Sequence, residues 1–175
     1  LMRHYLSTLQ EIRLLGLKDL PFCWGEVEEC GKDPLENARQ KALAYYRICG
    51  QPVFSQDSGL YIEGLPKERQ PGVHVRRVNG VNLTDEQMRK YYKKIAAEFG
   101  GRCVAQYQNA ICLVFSEDEI YEARGGALNW KKFWLMTEER PQRMEGFPLD
   151  AICADYRTGR HFYDGEATMP EEEGD

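Results

Sequence analysis

The chain has 175 residues, within the range of one domain or two small lobes, and we expect a single domain over residues 1–175. Its residues are 42% hydrophobic and 29% charged, a balance typical of a globular protein. A net charge of −5 argues against a nucleic-acid polymer as partner, whereas a small polyanion remains compatible if a divalent metal supplies positive charge. No apolar run approaches the roughly 20 residues of a membrane span, so we expect no membrane partner.

The first third of the chain predicts two helices separated by a short strand and an acidic loop. Apolar residues recur at helical spacing from Leu1 to Ile12, and 20–24 is a candidate strand. The acidic stretch 26–32 has neither the helical nor the strand periodicity of apolar residues, which indicates a loop. Asp33 is a good N-cap for a second helix, which Gly50 ends.

The rest of the chain alternates strands with one more helix. Val53–Ser55 predicts a strand that ends in the polar stretch 56–59, with Tyr61 and Ile62 continuing it or forming another strand. Thr84 and Gln87 predict the capping box of a third helix. Further segments follow as a long strand at 102–115, a polar hairpin turn, a strand at 120–124, an ambiguous stretch at 125–143 and a loop at 145–150. The class is therefore α/β or mixed α+β.

Six cysteines are scattered through the sequence without a C-x-x-C pair or zinc spacing. Several lie in apolar runs, which favours buried free thiols over disulfides. Free thiols indicate a reducing compartment, and we expect a cytoplasmic protein.

Acidic side chains before the first glycine-rich stretch are candidates for a metal site. Mg²⁺ prefers one or two carboxylates together with waters and substrate phosphates. Glu28 or Glu29 of the acidic loop and Asp57 at the predicted strand end would suit it, if the fold brings them together. On spacing alone, Glu28 and Glu29 also fit a solvated loop, and Glu36 is better explained by helix capping.

Basic and aromatic residues offer candidates for phosphate and base recognition, each with a plainer alternative. Lys41 could face a phosphate or be a surface lysine, and Arg76 and Arg77 could clamp phosphate or be exposed. Phe147 and Asp150 could stack on and hydrogen-bond a base, or be a core aromatic and a turn aspartate.

In combination, four segments resemble the inosine triphosphate pyrophosphatase family. They are Leu35-Glu36-Asn37-Ala38-Arg39-Gln40-Lys41-Ala42, Gln56-Asp57-Ser58-Gly59-Leu60, Pro71-Gly72-Val73 and Gly146-Phe147-Pro148-Leu149-Asp150-Ala151-Ile152. The family carries E-N-A-x-x-K-A, D-D-S-G-L, a P-G segment and G-F-G-Y-D-P-I-F in the same order.

The resemblance implies an α/β fold with a mixed twisted β-sheet flanked by helices, and two lobes around a central nucleotide-binding cleft. It implies Mg²⁺-dependent hydrolysis of deaminated purine nucleoside triphosphates (ITP, dITP, XTP) to monophosphate and pyrophosphate by a homodimer. By motif, the metal ligands would be Glu29, with Glu28 as a substitute, and Asp57, which would also be the catalytic base. The other implied contacts are Lys41, Ser58 and Arg76 or Arg77 to phosphate, Phe147 stacked on the purine, and Asp150 beside it.

The sequence departs from the family pattern in two motifs. Gln56 replaces the first aspartate of D-D-S-G-L, which takes one charge from beside Asp57, and Pro148-Leu149 replaces the Gly-aromatic pair. A non-catalytic nucleotide-binding relative and a pyrophosphatase for modified pyrimidine nucleotides therefore stay open. The family also has S/T-G-N-x-x-K before the helix at Leu1 and S-H-R after Met169-Pro170, so we expect the natural protein to extend at both ends.

Overall fold

A computed structural model of the protein describes residues 13–20, 25, 27 and 30–164. The helix predicted at 1–12, the strand predicted at 20–24 beyond its first residue, Glu28 and Glu29, and the segment 165–175 lie outside the described residues.

The described elements are two α-helices, seven strands and short 3₁₀ turns. The helices are α1 (Pro34–Cys49) and α2 (Asp85–Glu98). The strands are β1 (Val53–Ile62), β2 (Arg77–Val78), β3 (Val81–Asn82), β4 (Arg102–Ser116), β5 (Glu119–Arg124), β6 (Phe133–Met136) and β7 (Cys153–Asp155). None of the described helices is long and apolar enough to cross a membrane.

Both helices begin where local chemistry predicts. The Asp33 side chain accepts hydrogen bonds from the backbone N–H groups of Leu35 and Glu36, and α1 ends at Gly50 in the left-handed conformation. Thr84 and Gln87 form the predicted reciprocal capping box of α2. The prediction for Glu36 needs a correction, because its carboxylate reaches the N–H of Lys32 at 2.7 Å and not that of the N-cap residue.

The central strand of the main sheet is β4, which is long enough to pair with one strand along one edge and with two shorter strands along the other. β1 pairs with one edge of β4 from Val53↔Val114 to Ile62↔Ala105. On the other edge, β5 pairs with the C-terminal half of β4 and β6 with its N-terminal end, and β7 pairs with β6. All these ladders are antiparallel. The α/β prediction of a sheet flanked by helices is confirmed.

The two helices cover opposite faces at opposite ends of this sheet. At one end, Ala38 and Ala42 of α1 are fully buried against Cys112 and Val114. At the other end, the larger cluster joins α2 to residues such as Leu60 and to strands β6 and β7. Residues alternate between the faces along each strand, so each half of β4 buries a different set of side chains.

The predicted free thiols are confirmed for the described cysteines. Cys103, Cys112 and Cys153 are buried free thiols, and Cys30 and Cys49 are also free thiols. Burial raises the pKa of the Cys103 thiol to about 11, so this side chain behaves as an apolar core residue.

Candidate functional site

The stretch 56–59 lies in the middle of a strand, which corrects the prediction that it forms a strand end. β1 continues through Asp57 to Ile62 without a turn. Gly59 serves a close backbone approach instead, because Leu60 exchanges two hydrogen bonds of 2.9 Å with Gly72. A Cβ atom on Gly59 would lie 3.1 Å from the carbonyl carbon of Gly72. The family-like segment 71–73 is thus held beside β1.

Asp57 is held by two side chains from one face of α1. Lys41 Nζ donates to Asp57 Oδ1 at 2.8 Å, and Asn37 Nδ2 donates to Asp57 Oδ2 at 3.1 Å. Asn37 and Lys41 lie one helical turn apart, so the E-N-A-x-x-K spacing directs both at the same strand residue. The Asp57 side chain is only 13% exposed, which makes this a largely desolvated ion pair.

Asn37 also ties the end of the acidic loop to the site. This side chain is 1% exposed, and its Oδ1 accepts a hydrogen bond of 2.8 Å from the N–H of Gly31. Gln40 accepts from the N–H of Cys30 at 3.2 Å. A Cβ atom on Gly31 would fall 2.4 Å from Asn37 Oδ1, so only glycine fits without a shift. The chain immediately after Glu29 is therefore fixed next to Asp57.

Neighbours of Asp57 on β1 face the other side of the sheet. Ser58 donates from its hydroxyl to Asn109 Oδ1 at 2.7 Å, and Asn109 is buried. Gln56 pairs with Ile111 and likewise alternates away from Asp57. The charge that Gln56 lacks is thus missing from the opposite face, not from beside the Asp57 carboxylate, which corrects that reading of the motif.

The two predicted arginines have different surroundings. Arg76 is engaged by Asp85 at 2.7 Å and also donates to the carbonyl of Leu83 at 3.0 Å. Arg77 lines a separate open groove with His74 beside α2. Neither forms a hydrogen bond or ion pair to Asp57 among the described residues.

The predicted base-binding residues lie in the turn before β7. Phe147 is 52% exposed, and its carbonyl accepts from the N–H of Asp150 at 3.3 Å. Burial raises the pKa of the Asp150 carboxyl, and burial is also the main reason why the pKa of Tyr107 is raised, with Cys153 and Asp150 adding to it. Tyr107 packs against the cluster on the α2 side of the sheet, whereas Asp57 faces α1. In the described part of the chain, no hydrogen bond or ion pair joins Phe147 or Asp150 to Asp57.

Sequence reasoning missed several residues around Asp57. Asn37 and Gly31 stand inside or just before the E-N-A motif, and the motif itself was the signal for them. Tyr61 follows Asp57 on the same face of β1, and burial together with the charges of Asp33 and Asp57 raises its pKa. Arg124 lies on the same face of the sheet as Asp57 because it pairs with Ala110, and no local sequence pattern indicates this pairing.

Comparisons with known proteins agree with this architecture. The sequence model of the Ham1 family matches residues 2–129. A dITP/XTP pyrophosphatase of Elusimicrobium minutum is 35% identical over 120 residues, which are 68% of this chain and 59% of that protein. One of Deinococcus deserti is 33% identical over 142 residues, covering 80% of this chain and 61% of that protein.

Solved structures extend the match over nearly the whole chain. A nucleoside-triphosphatase, named dITP/XTP pyrophosphatase, of Mycobacterium abscessus superposes with a TM-score of 0.71 and 24% identity, covering 95% of this chain and 82% of that one. A HAM1 protein of Coxiella burnetii gives a TM-score of 0.65 at 25% identity, with coverage of 94% and 83%.

Matches to the curated relatives leave part of those proteins uncovered. The chain spans 35% of the length of the Geobacter sulfurreducens dITP/XTP pyrophosphatase, to which it is 44% identical over 73 residues, and 50–61% of several others. The family model nevertheless covers well over half of this chain, so the resemblance in the motifs is confirmed. The chain belongs to the Ham1 family, the family of the inosine triphosphate pyrophosphatases.

Proposed function

We propose that this protein hydrolyses deaminated purine nucleoside triphosphates (ITP, dITP, XTP) to the monophosphate and pyrophosphate. The observation that carries the proposal is the Asp57 carboxylate held by Lys41 and Asn37 next to the end of the acidic loop. Relatives named dITP/XTP pyrophosphatase support the substrate class.

Asp57 would be the catalytic residue. Its carboxylate would accept a proton from the attacking water as the α–β phosphoanhydride bond breaks and pyrophosphate leaves. Lys41 offsets the negative charge of this carboxylate at 2.8 Å and would bring positive charge towards the phosphates. Asn37 would fix the direction in which the carboxylate points. Most of the catalysis would then be positioning and charge compensation, as phosphoryl transfer requires.

The residues around Asp57 fit a magnesium ion. Asp57 would supply one carboxylate oxygen and Glu29 a second, and the hydrogen bond from Gly31 to Asn37 keeps the end of that loop close. Mg²⁺ commonly takes one or two carboxylates plus substrate phosphates. When bound, it would neutralise phosphate charge and orient the reacting groups. Within residues 13–20, 25, 27 and 30–164, no cluster of three potential ligands is present, so the site would be completed by the acidic loop and substrate.

Further substrate contacts follow from the motifs. Phe147, more than half exposed, would stack on the purine, and Asp150 would hydrogen-bond the base. Ser58 lies on the opposite face of the sheet and donates to Asn109 at 2.7 Å, so the arrangement around Asp57 does not support the phosphate contact that the motif implies for its hydroxyl. Of the two arginines, Arg77 is the better candidate for phosphate, because Arg76 already holds Asp85 at 2.7 Å.

The experiment is to incubate the full-length protein with ITP, XTP, ATP and GTP plus Mg²⁺ and to measure pyrophosphate. We expect release from ITP and XTP, and at least a hundredfold lower kcat for Asp57→Asn. Asp118→Asn, in the exposed β4–β5 turn, is the matched control and should keep wild-type activity. A preference for ATP, or no release from any nucleotide, would contradict the proposal.

Two alternative functions are outcomes of the same experiment. Binding of ITP by calorimetry without turnover, unchanged in Asp57→Asn, would indicate a non-catalytic relative. Turnover confined to modified pyrimidine triphosphates would trace to Pro148 and Leu149 beside Phe147. The resemblance further leads us to propose a cytoplasmic homodimer, which sedimentation equilibrium of the full-length protein would test.

A further inference from the structure

Strand β5 forms an outer edge of the main sheet. It pairs with β4, and no other described strand lies beside it. Every residue of β5 is exposed except Ile120, which is partly buried. In the described part of the chain, the backbone N–H and C=O groups on the outer side of β5 therefore have no strand to pair with. Such an edge is a template for pairing with a further strand.

The direction of the backbone groups along β5 follows from the residue after it. Gly125 donates its N–H to the carbonyl of Asn109 on β4 at 3.2 Å. Along an antiparallel strand the backbone groups of successive residues point to alternate sides, so the odd-numbered residues of β5 bond to β4. The residues whose N–H and C=O groups point outward are Ile120, Glu122 and Arg124.

The sequence of β5 is compatible with pairing to its own copy in one register. A two-fold axis normal to the sheet pairs two copies of the strand antiparallel and places one residue opposite itself. With Glu122 on the axis, two carboxylates would face each other, and like charges directly opposite are destabilising. With Tyr121 on the axis, Ile120 lies opposite Glu122 of the second copy, and the outward-facing groups of this pair exchange both backbone hydrogen bonds.

Tyr121 supplies an apolar contact at this axis. It pairs with Leu113, whereas α1 packs on the neighbouring Cys112 and Val114, so Tyr121 lies on the sheet face opposite α1. The side chains of Tyr121 and Phe115 are 56% and 45% exposed, and their rings meet edge to face at 6.0 Å. On the axis, the exposed Tyr121 ring would meet its own copy, and aromatic cross-strand pairs stabilise a sheet.

Charge complementarity favours the same register. Arg124 would lie opposite the β4–β5 turn of the second copy, where residues 117–119 are all acidic. Within its own chain, Arg124 is only weakly held, because the nearest carboxylate, that of Asp33, lies 3.9 Å away and the Arg124 side chain is 69% exposed. The two-fold axis would form this contact between Arg124 and the acidic turn twice.

We propose that β5 pairs antiparallel with β5 of a second copy of this chain, with Tyr121 on the two-fold axis. The two main sheets then form one continuous sheet. This inference rests on the homodimer named under the proposed function and assigns its interface. Asp57 and its partners Lys41 and Asn37 come from one chain, so the interface can be disrupted without removing a residue of that site.

A disulfide across the axis tests the register. Residues opposite each other in a non-hydrogen-bonded antiparallel pair have Cα atoms about 4.5 Å apart, within the roughly 4.4–6.8 Å that a disulfide spans. We expect mild oxidation of full-length Tyr121→Cys to give a cross-linked dimer on a non-reducing gel. Glu119→Cys is the matched control, because this exposed position of the same strand faces Ala123 of the second copy and should not cross-link above the wild-type level.

Sedimentation equilibrium of the full-length protein tests the hydrogen bonds. Glu122→Pro removes an outward-facing N–H, which an edge strand tolerates because this group is not part of the ladder to β4. We expect the dimer dissociation constant to rise about tenfold or more, whereas Glu122→Gln, which keeps the N–H, should dimerise at least as tightly as the wild type. Turnover of ITP should persist in both variants and shows that they are folded.

Two results would overturn the assigned interface. They are a dimer that Glu122→Pro leaves unchanged, and equal cross-linking of Tyr121→Cys and Glu119→Cys. Either result leaves the homodimer in place and refutes only the pairing through β5. A wild-type protein that stays monomeric would refute both the homodimer and its interface. Hydrolysis of ITP and XTP is measured separately, so its failure would refute the proposed activity without deciding how the chains associate.

Discussion

Replacing Asn37 with alanine tests the connection between the acidic loop and Asp57. The change leaves the buried N–H of Gly31 without its acceptor, which costs about 1–3 kcal/mol. It also removes the 3.1 Å hydrogen bond to Asp57, a charged but not fully buried partner that Lys41 still compensates, for about 1 kcal/mol more. We therefore expect the free energy of unfolding to fall by about 2–4 kcal/mol.

Urea denaturation followed by tryptophan fluorescence measures this loss. With an m-value of about 2 kcal/mol per molar urea, the midpoint should fall by about 1–2 M. Gln40→Ala is the control, because Gln40 also holds the acidic loop but accepts a longer, exposed hydrogen bond of 3.2 Å from Cys30. Its effect should stay below about 1 kcal/mol.

Asn37→Asp separates the two contacts of Asn37. The new carboxylate can still accept from Gly31, but it lies against the carboxylate of Asp57 and repels it at neutral pH. Its loss of stability should shrink as the pH falls and one of the two groups takes up a proton. At neutral pH both Asn37 variants should also lower kcat/KM for ITP at least about tenfold. The reasoning fails if Asn37→Ala costs no more than Gln40→Ala, or if Asn37→Asp is as stable as the wild type at neutral pH.

Three other changes test the frame around the site. Gly31→Ala should reduce stability and kcat, since its Cβ has no room, whereas Gly25→Ala, with no described residue within 4 Å, should be neutral when both are compared by thermal unfolding and turnover. Burial favours a raised pKa for Glu139, but Lys93, Arg89 and Arg143 outweigh it and lower that pKa. Glu139→Gln should therefore lower the free energy of unfolding by about 1–2 kcal/mol above pH 4.5, a difference that disappears as the pH falls further. Glu98→Gln, at the exposed ion pair with Arg69, should leave the free energy of unfolding nearly unchanged. Burial raises the pKa of Asp150 above 3.8, because the folded protein disfavours its charged form. The ionised carboxylate therefore destabilises the fold at neutral pH, and this penalty is absent at low pH, where the group is protonated. Asp150→Asn should thus raise Tm at neutral pH, with no gain below about pH 3.8. Equal Tm values of this variant and the wild type at pH 7 would contradict the assignment.

Local chemistry made the helices predictable. Asp33 and Pro34 define the start of α1 and Thr84 the start of α2, because a cap is formed by residues two or three positions apart. The hairpin between β4 and β5 was equally predictable, since a polar turn separates its two strands. The E-N-A-x-x-K spacing places Asn37 and Lys41 one helical turn apart, and both contact Asp57, whereas the roles of Lys41 and Asp57 towards substrate stay predictions.

Features that depend on strand pairing were not predictable. Gly59 resembles a turn residue, and only the close approach of Gly72 explains it in mid-strand. Strand β6 was ambiguous because both of its faces are apolar. Trp134 on its outer face packs under the Arg102 guanidinium, 4.4 Å from the ring centre, so the usual polar alternation is missing. Arg124 lies on the same face of the sheet as Asp57 only because Ala110 on β4 pairs with both of them.

The position of Asp57 shows how the fold and the site depend on one another. A carboxylate in mid-strand is fixed more firmly than one on a turn, but half of its surroundings must then come from the element packed above it. Helix α1 supplies them because Ala38 and Ala42 let it approach the sheet with both side chains fully buried. The same approach sets Asn37 and Lys41 within hydrogen-bonding distance of Asp57. A larger residue at Ala42 would lift the helix and lengthen both bonds at once, so core packing and site geometry cannot vary independently here.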